Sequence, residues 1–156
     1  MQRREVFGAL FRSTKPKERP SLFPPYFDKP QDFEKCKECE NKACQEVCEE
    51  DIIIIIDDKP SLDFSESGCT FCDECAKACE AGVLGIEYKK DIPAPTIDMI
   101  GCVAWHKTIC SMCKDICEVG AIEFTGLFNP EIRDVCNGCG FCVGVCPTQA
   151  IGWEGL

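Results

Sequence analysis

Short apolar segments recur along the chain, each rich in β-branched or aromatic residues and each bounded by polar or turn-forming residues. The longest uninterrupted aliphatic run extends only from Ile52 to Ile56. The pattern therefore favours short β-strands and no membrane-spanning helix, which needs about 20 residues. Polar stretches containing Pro60 and Asn129 are predicted to form partner strands of short hairpins. The predicted strands are 52–56, 81–86, 120–124 and 149–153, and their predicted partners are 60–63 and 129–132.

A proline-rich segment precedes these elements. Five prolines lie between Pro16 and Pro30, with Phe23, Tyr26 and Phe27 among them. This composition predicts an extended strap whose aromatic side chains pack onto the body of the protein. The prolines would also stiffen the segment and hold the residues before it away from the body.

Cysteine changes this picture most. The chain has 156 residues, of which 16 are cysteine, and without them the apolar fraction falls from 45% to roughly 35%. Such a core is thin, so the cysteines are predicted to help hold the fold together. They form four groups: Cys36-x2-Cys39-x4-Cys44-x3-Cys48, Cys69-x2-Cys72-x2-Cys75-x3-Cys79, Cys102-x7-Cys110-x2-Cys113-x3-Cys117 and Cys136-x2-Cys139-x2-Cys142-x3-Cys146.

The spacing of the groups indicates an internal repeat. Successive closing cysteines lie 31, 38 and 29 residues apart, which predicts two tandem pairs separated by a linker near Lys89 to Met99. Between the third and fourth cysteine of a group there is room for one helical turn, as in the segment from Asp73 to Lys77. The predicted fold class is α+β, with short helices and short β-hairpins.

Charge is unevenly distributed. The net charge is −10, but residues 1–20 carry +4 and the rest of the chain −14. An acidic body repels nucleic acid phosphates, whereas the basic arm, with Arg3 and Arg4, could contact an acidic partner. Twin arginines can open an export signal, but the apolar stretch after them has only six residues. We therefore expect the protein in the cytoplasm, where cysteine groups are more often metal sites than disulfides.

The repeated x3 spacing at the end of each group is typical of [4Fe–4S] ferredoxins. In two-cluster ferredoxins three close cysteines hold one cluster, and the fourth ligates the neighbouring cluster. Applied here, this crossed ligation predicts four clusters from sixteen ligands. The first set is Cys36, Cys39 and Cys44 with Cys79, the second is Cys69, Cys72 and Cys75 with Cys48, the third is Cys102, Cys110 and Cys113 with Cys146, and the fourth is Cys136, Cys139 and Cys142 with Cys117.

Other chemistries fit the sequence less well. Structural zinc sites usually combine two C-x2-C pairs and do not need a fourth cysteine at x3 spacing. A disulfide framework is the other alternative, and it conflicts with the expected compartment. His106 is the only histidine, which disfavours a hydrolase triad, and we interpret His106 as a loop residue. No cysteine is left over as a catalytic thiol, so no independent catalytic site is expected.

Taken together, the four groups, the Arg-Arg start, the Pro-Pro-aromatic strap and the Gly101-Cys102-Val103-Ala104-Trp105 segment resemble NapF-type ferredoxins. This resemblance implies two fused two-cluster ferredoxin modules, here 31–90 and 91–156, after an arm and strap at 1–30. It also implies a cytoplasmic accessory protein that helps the molybdenum-containing catalytic subunit of periplasmic nitrate reductase acquire or reduce its iron–sulfur site. A general electron-transfer polyferredoxin, serving another oxidoreductase complex, is the alternative.

Overall fold

The computed structural model describes residues 21–153, and within them the secondary structure consists of short elements only. The four α-helices are α1 (Ala43–Glu46), α2 (Glu74–Lys77), α3 (Met112–Asp115) and α4 (Phe141–Gly144). Short 3-10 helices cover Pro30–Glu38, Ile86–Tyr88 and Val103–His106. The strands are β1 (Ile53–Ile56), β2 (Lys59–Leu62), β3 (Thr96–Ile97), β4 (Ile122–Thr125), β5 (Phe128–Ile132) and β6 (Ile151–Gly152).

Each α-helix is the single turn that the cysteine spacing predicts. It contains the third cysteine of its group and ends two residues before the fourth. Lys42, Asp73 and Gly140, which precede α1, α2 and α4, have φ angles of 45°, 68° and 83°. This left-handed conformation turns the chain sharply from the loop that carries the first two cysteines into the helix. The loop and the helix therefore face each other at each of these groups.

The two predicted hairpins are confirmed. β1 pairs antiparallel with β2, with Ile53 opposite Leu62 and Ile56 opposite Lys59. The connecting residues Asp57 and Asp58 both have positive φ, the backbone of the tight two-residue turn that suits a twisted hairpin. β4 pairs in the same way with β5, across a register shift between Phe124 and Thr125.

The other two predicted strands are largely wrong. Residues 81–86 form no strand, because Gly82 has a φ of 65° and the strap approaches this segment closely at one point. There Leu84 makes an isolated bridge with Phe27. Of residues 149–153 only β6 pairs, and its partner is β3. β3 lies in the segment predicted to be a linker, so two residues of that segment belong to a sheet.

The described part of the strap packs into the core. Phe23 stacks on Phe33, which is fully buried, with ring centroids 4.1 Å apart. Tyr26 is also buried, and its carbonyl accepts a hydrogen bond of 2.8 Å from the amide of Gly85. The predicted aromatic packing is confirmed for residues 21–30, whereas the arm that the prolines are predicted to hold away from the body lies outside the described residues. Arg3 and Arg4 lie outside the described residues.

The halves of the chain before and after residue 91 contact each other directly. The rings of Phe64 and Trp153 lie 5.0 Å apart. The amide of Cys69 donates a hydrogen bond of 2.6 Å to the carbonyl oxygen of Cys139 across the two halves, and the indole N–H of Trp153 donates one of 2.6 Å to the carbonyl of Pro93 within the second half. This contact brings cysteine loops of the two halves together. No helix within residues 21–153 is long and apolar enough to cross a membrane.

Candidate metal centres

The structure gathers the sixteen cysteines around four cavities, four cysteines to each. The cavities enclose similar amounts of empty space, about 370, 420, 350 and 340 Å³ for the first to fourth sets, part of it open to solvent. The grouping is the crossed one. Cys79 lies with Cys36, Cys39 and Cys44, Cys48 with Cys69, Cys72 and Cys75, Cys146 with Cys102, Cys110 and Cys113, and Cys117 with Cys136, Cys139 and Cys142.

Helix packing explains the crossing. α1 packs against α2, and α3 against α4. Within each pair, the cysteine that follows one helix lies beside the loop cysteines of the other group. Each pair of groups therefore builds two cavities, and each cavity depends on both groups.

Backbone amides hold the fourth cysteine of three groups. The Sγ atoms of Cys79, Cys117 and Cys146 accept hydrogen bonds of 3.3, 3.2 and 3.3 Å from the amides of Leu84, Ala121 and Ala150. The three bonds span four or five residues, so they repeat one local conformation after the helix. Amide hydrogen bonds to sulfur stabilise a thiolate and tune the reduction potential of a cluster that it ligates.

Burial makes these thiols poor acids in the absence of metal. It is the largest cause that raises the pKa of Cys75 and Cys142 to about 12, and that of Cys44, Cys69 and Cys113 to about 11. The charges of neighbouring thiolates add to the effect. These neighbours include the fourth cysteine of each crossed set: Cys79 for Cys44, Cys48 for Cys75, Cys146 for Cys113, and Cys117 for Cys142. A bound metal would have to displace these protons.

The arrangement fits a polynuclear cluster better than a zinc ion. Within residues 21–153, no three His, Cys, Asp or Glu side chains are close enough together to hold a single metal ion. Four thiols instead surround a cavity, as a cubane of iron and sulfide requires. All sixteen cysteines are free thiols in the structure, so the geometry gives the disulfide alternative no support.

Two further residues complete the description of the sites. His106 is exposed, and its Nε2 lies 2.8 Å from the carbonyl oxygen of Ile100. Tyr26, which the sequence analysis did not assign to a site, lines the cavity of the second set. Its hydroxyl accepts a hydrogen bond of 3.2 Å from the amide of Asp73, the residue that starts α2. The signal in the sequence that could have indicated this role is the position of Tyr26 directly after two consecutive prolines.

Comparison with known proteins identifies the class. The family model of the 4Fe-4S binding domain matches residues 131–152, which include all four cysteines of the last group. The short helices, the small sheets and the cysteine cavities agree with this match. The chain is therefore an iron–sulfur protein of the ferredoxin type.

Relatives identify the family. The chain is 32% identical to the ferredoxin-type protein NapF of Escherichia coli K12, over 78% of this chain and 76% of the relative. It is 36% identical to NapF of Haemophilus influenzae, over 56% of this chain and 71% of the relative. An uncharacterized ferredoxin of Methanocaldococcus jannaschii is 32% identical over 55% of this chain and 50% of the relative. The chain belongs to the NapF family of ferredoxin-type proteins.

Proposed function

We propose that each set of cysteines holds one [4Fe–4S] cluster, and that the chain consists of two tandem two-cluster modules. The modules are residues 31–90 and 91–156, and residues 1–30 form an arm and strap before them. The crossed grouping supports this division, because each pair of groups shares its ligands and each of the four cavities takes its cysteines from one pair only.

The protein acts in the cytoplasm as an accessory to the periplasmic nitrate reductase system. It loads or reduces the iron–sulfur site of the molybdenum-containing catalytic subunit while that subunit is still a precursor. The observation that carries this proposal is the set of four cysteine cavities in a chain that belongs to the NapF family. The protein works by electron transfer or cluster maturation and has no catalytic site of its own for a small substrate.

The basic arm provides the contact with the partner, and Arg3 and Arg4 take part in it. Its charge of +4 contrasts with the −14 of the rest of the chain, so it is suited to an acidic surface on another protein. The acidic body disfavours nucleic acid as a partner.

Iron and sulfide analysis tests the cluster assignment. Protein purified without oxygen should contain about sixteen irons and sixteen sulfides per chain, and its visible absorbance should bleach with dithionite. Equimolar zinc without labile sulfide would exclude the iron–sulfur assignment.

Binding to the reductase precursor tests the role. The full chain should capture the precursor, and the interaction should weaken as salt rises. Arg3→Gln with Arg4→Gln should weaken it more than Lys15→Gln with Lys17→Gln, which removes the same charge from the same arm. Equal effects would show that only net charge matters. Unimpaired binding without residues 1–20 would exclude the arm, and capture of other oxidoreductases but not of this precursor would favour the general electron carrier.

A further inference from the structure

The two halves meet at a direct contact between cysteines of two different sets. The amide of Cys69, in the second set, donates a hydrogen bond of 2.6 Å to the carbonyl oxygen of Cys139, in the fourth set. The two loops thus touch at the residues that are predicted to ligate two different clusters.

Glycines make this approach possible. A Cβ atom on Gly68 would lie 2.6 Å from the ring of Phe141 and 2.7 Å from the carbonyl oxygen of Cys139. A Cβ atom on Gly140, in the second half, would overlap the ring of Phe64 in the first half, whereas one on Gly138 would overlap the carbonyl of Ile92 within the second half. A larger residue at Gly68 or Gly140 must push the loops of the two halves apart, because the atoms that its Cβ would meet are aromatic ring atoms or a backbone carbonyl oxygen.

Within each half, a short helix places the two cysteine sets next to each other. α1 contains Cys44 of the first set and is followed by Cys48 of the second, while α4 contains Cys142 of the fourth set and is followed by Cys146 of the third. Each helix thus connects the two sets of its own half over one turn. With the contact between Cys69 and Cys139, the sets follow one another in the order first, second, fourth, third.

We propose that the contact between Cys69 and Cys139 is where electrons cross between the two halves, so that the four sets form one conducting line rather than two separate pairs. This inference rests on the proposed presence of four clusters. In the crossing step one electron moves between the second and fourth sets. The cluster on one side is oxidised by one electron and the cluster on the other is reduced by one, and no bond breaks and no proton is transferred. The electron comes from a low-potential one-electron donor such as dithionite.

The experiment measures electron exchange in the full, cluster-loaded chain reduced by one electron per molecule. Contact-shifted NMR signals of cysteine β-protons distinguish oxidised from reduced clusters, and exchange between the halves should be independent of protein concentration. Cross-half exchange that rises in proportion to concentration would mean that electrons pass only between molecules, and this would overturn the inference.

A pair of glycine variants localises the crossing. Gly68→Ala should slow exchange between the halves at least tenfold and leave exchange within each half unchanged, whereas a general loss of packing would slow both. Gly152→Ala is the matched control, because a Cβ there meets nothing within 4 Å. Unchanged cross-half exchange in Gly68→Ala would overturn the inference, and if this variant does not hold its clusters, the concentration test on the parent chain decides. Fewer than four clusters in the parent chain would instead overturn the proposed function.

Discussion

Crossed ligation makes a quantitative prediction for pairs of cysteine variants. Each set should hold about four of roughly sixteen irons. Alanine offers no ligand atom, so Cys36→Ala or Cys79→Ala should each lose about four irons. Because Cys36 and Cys79 line the same cavity, the double variant should also lose only about four. Cys69 lines a different cavity from Cys79, so Cys69→Ala with Cys79→Ala should lose about eight.

Local ligation, in which each group holds its own cluster, predicts the reverse. Cys69 and Cys79 belong to one group in the sequence, and Cys36 belongs to another. The first double variant would then lose about eight irons and the second about four. The comparison of the double variants depends on complete loss of a cluster from a set with three thiolates, and the single variants measure this directly, because each should lose about four irons.

The assay combines iron and sulfide analysis of anaerobically purified protein with EPR spectra after dithionite reduction. In the double variant of Cys36 and Cys79, the spectrum should match that of either single variant. A spectrum that lacks two cluster signals in this double variant would refute the crossed grouping, whatever the total iron content.

Three further outcomes are expected. Phe33→Ala should destabilise the protein by about 3–5 kcal/mol, because it leaves a cavity beneath the ring of Phe23. Leu127→Ala, at a side chain that is 64% exposed, should change stability by less than about 0.5 kcal/mol. The two variants are compared by the denaturant concentration at which half of the cluster absorbance is lost. Reconstitution with iron and sulfide should become less complete as the pH falls from 9 to about 6.5. The pKa values of Cys75 and Cys142 are raised to about 12, so protons compete with metal for these thiols more strongly at lower pH. Equal yields across this range would contradict that competition. Removal of iron should raise hydrogen exchange in β4 and β5 before β1 and β2, and simultaneous exposure of both hairpins would contradict this order.

Elements fixed by local chemistry were predictable from the sequence. The cysteine spacing predicts the helical turn in each group, and the structure has it at all four. The hairpin of β1 and β2 follows from an aliphatic run, two consecutive aspartates and a second short segment, all within eleven residues. Such patterns are informative because the interacting residues are close in the chain.

Elements that depend on distant partners were not predictable. β3 and β6 are two residues long and pair across more than 50 residues of sequence, so neither has a periodicity to detect. Gly140 has a positive φ angle, and the ring of Phe64 from the other half of the protein lies against it. The sequence did not indicate this contact, because that requires knowing which surfaces meet.

The candidate metal sites border the hydrophobic core, and we expect the second half to depend on bound metal more than the first. Among the described residues, one core cluster contains thirteen buried residues, including strap residues such as Tyr26 and aliphatic residues of the first hairpin. The other contains only four, Cys113, Ile122, Cys142 and Ile151. Half of that smaller core consists of candidate ligands, so its apolar side chains pack against the walls of cavities that a cluster would fill. Loss of metal would leave protonated thiols without the atoms that they packed against, which is destabilising because the surrounding side chains lose their contacts. The first half retains the stacked rings of Phe23 and Phe33 when metal is lost. We therefore expect the hairpin of β4 and β5 to open before the hairpin of β1 and β2.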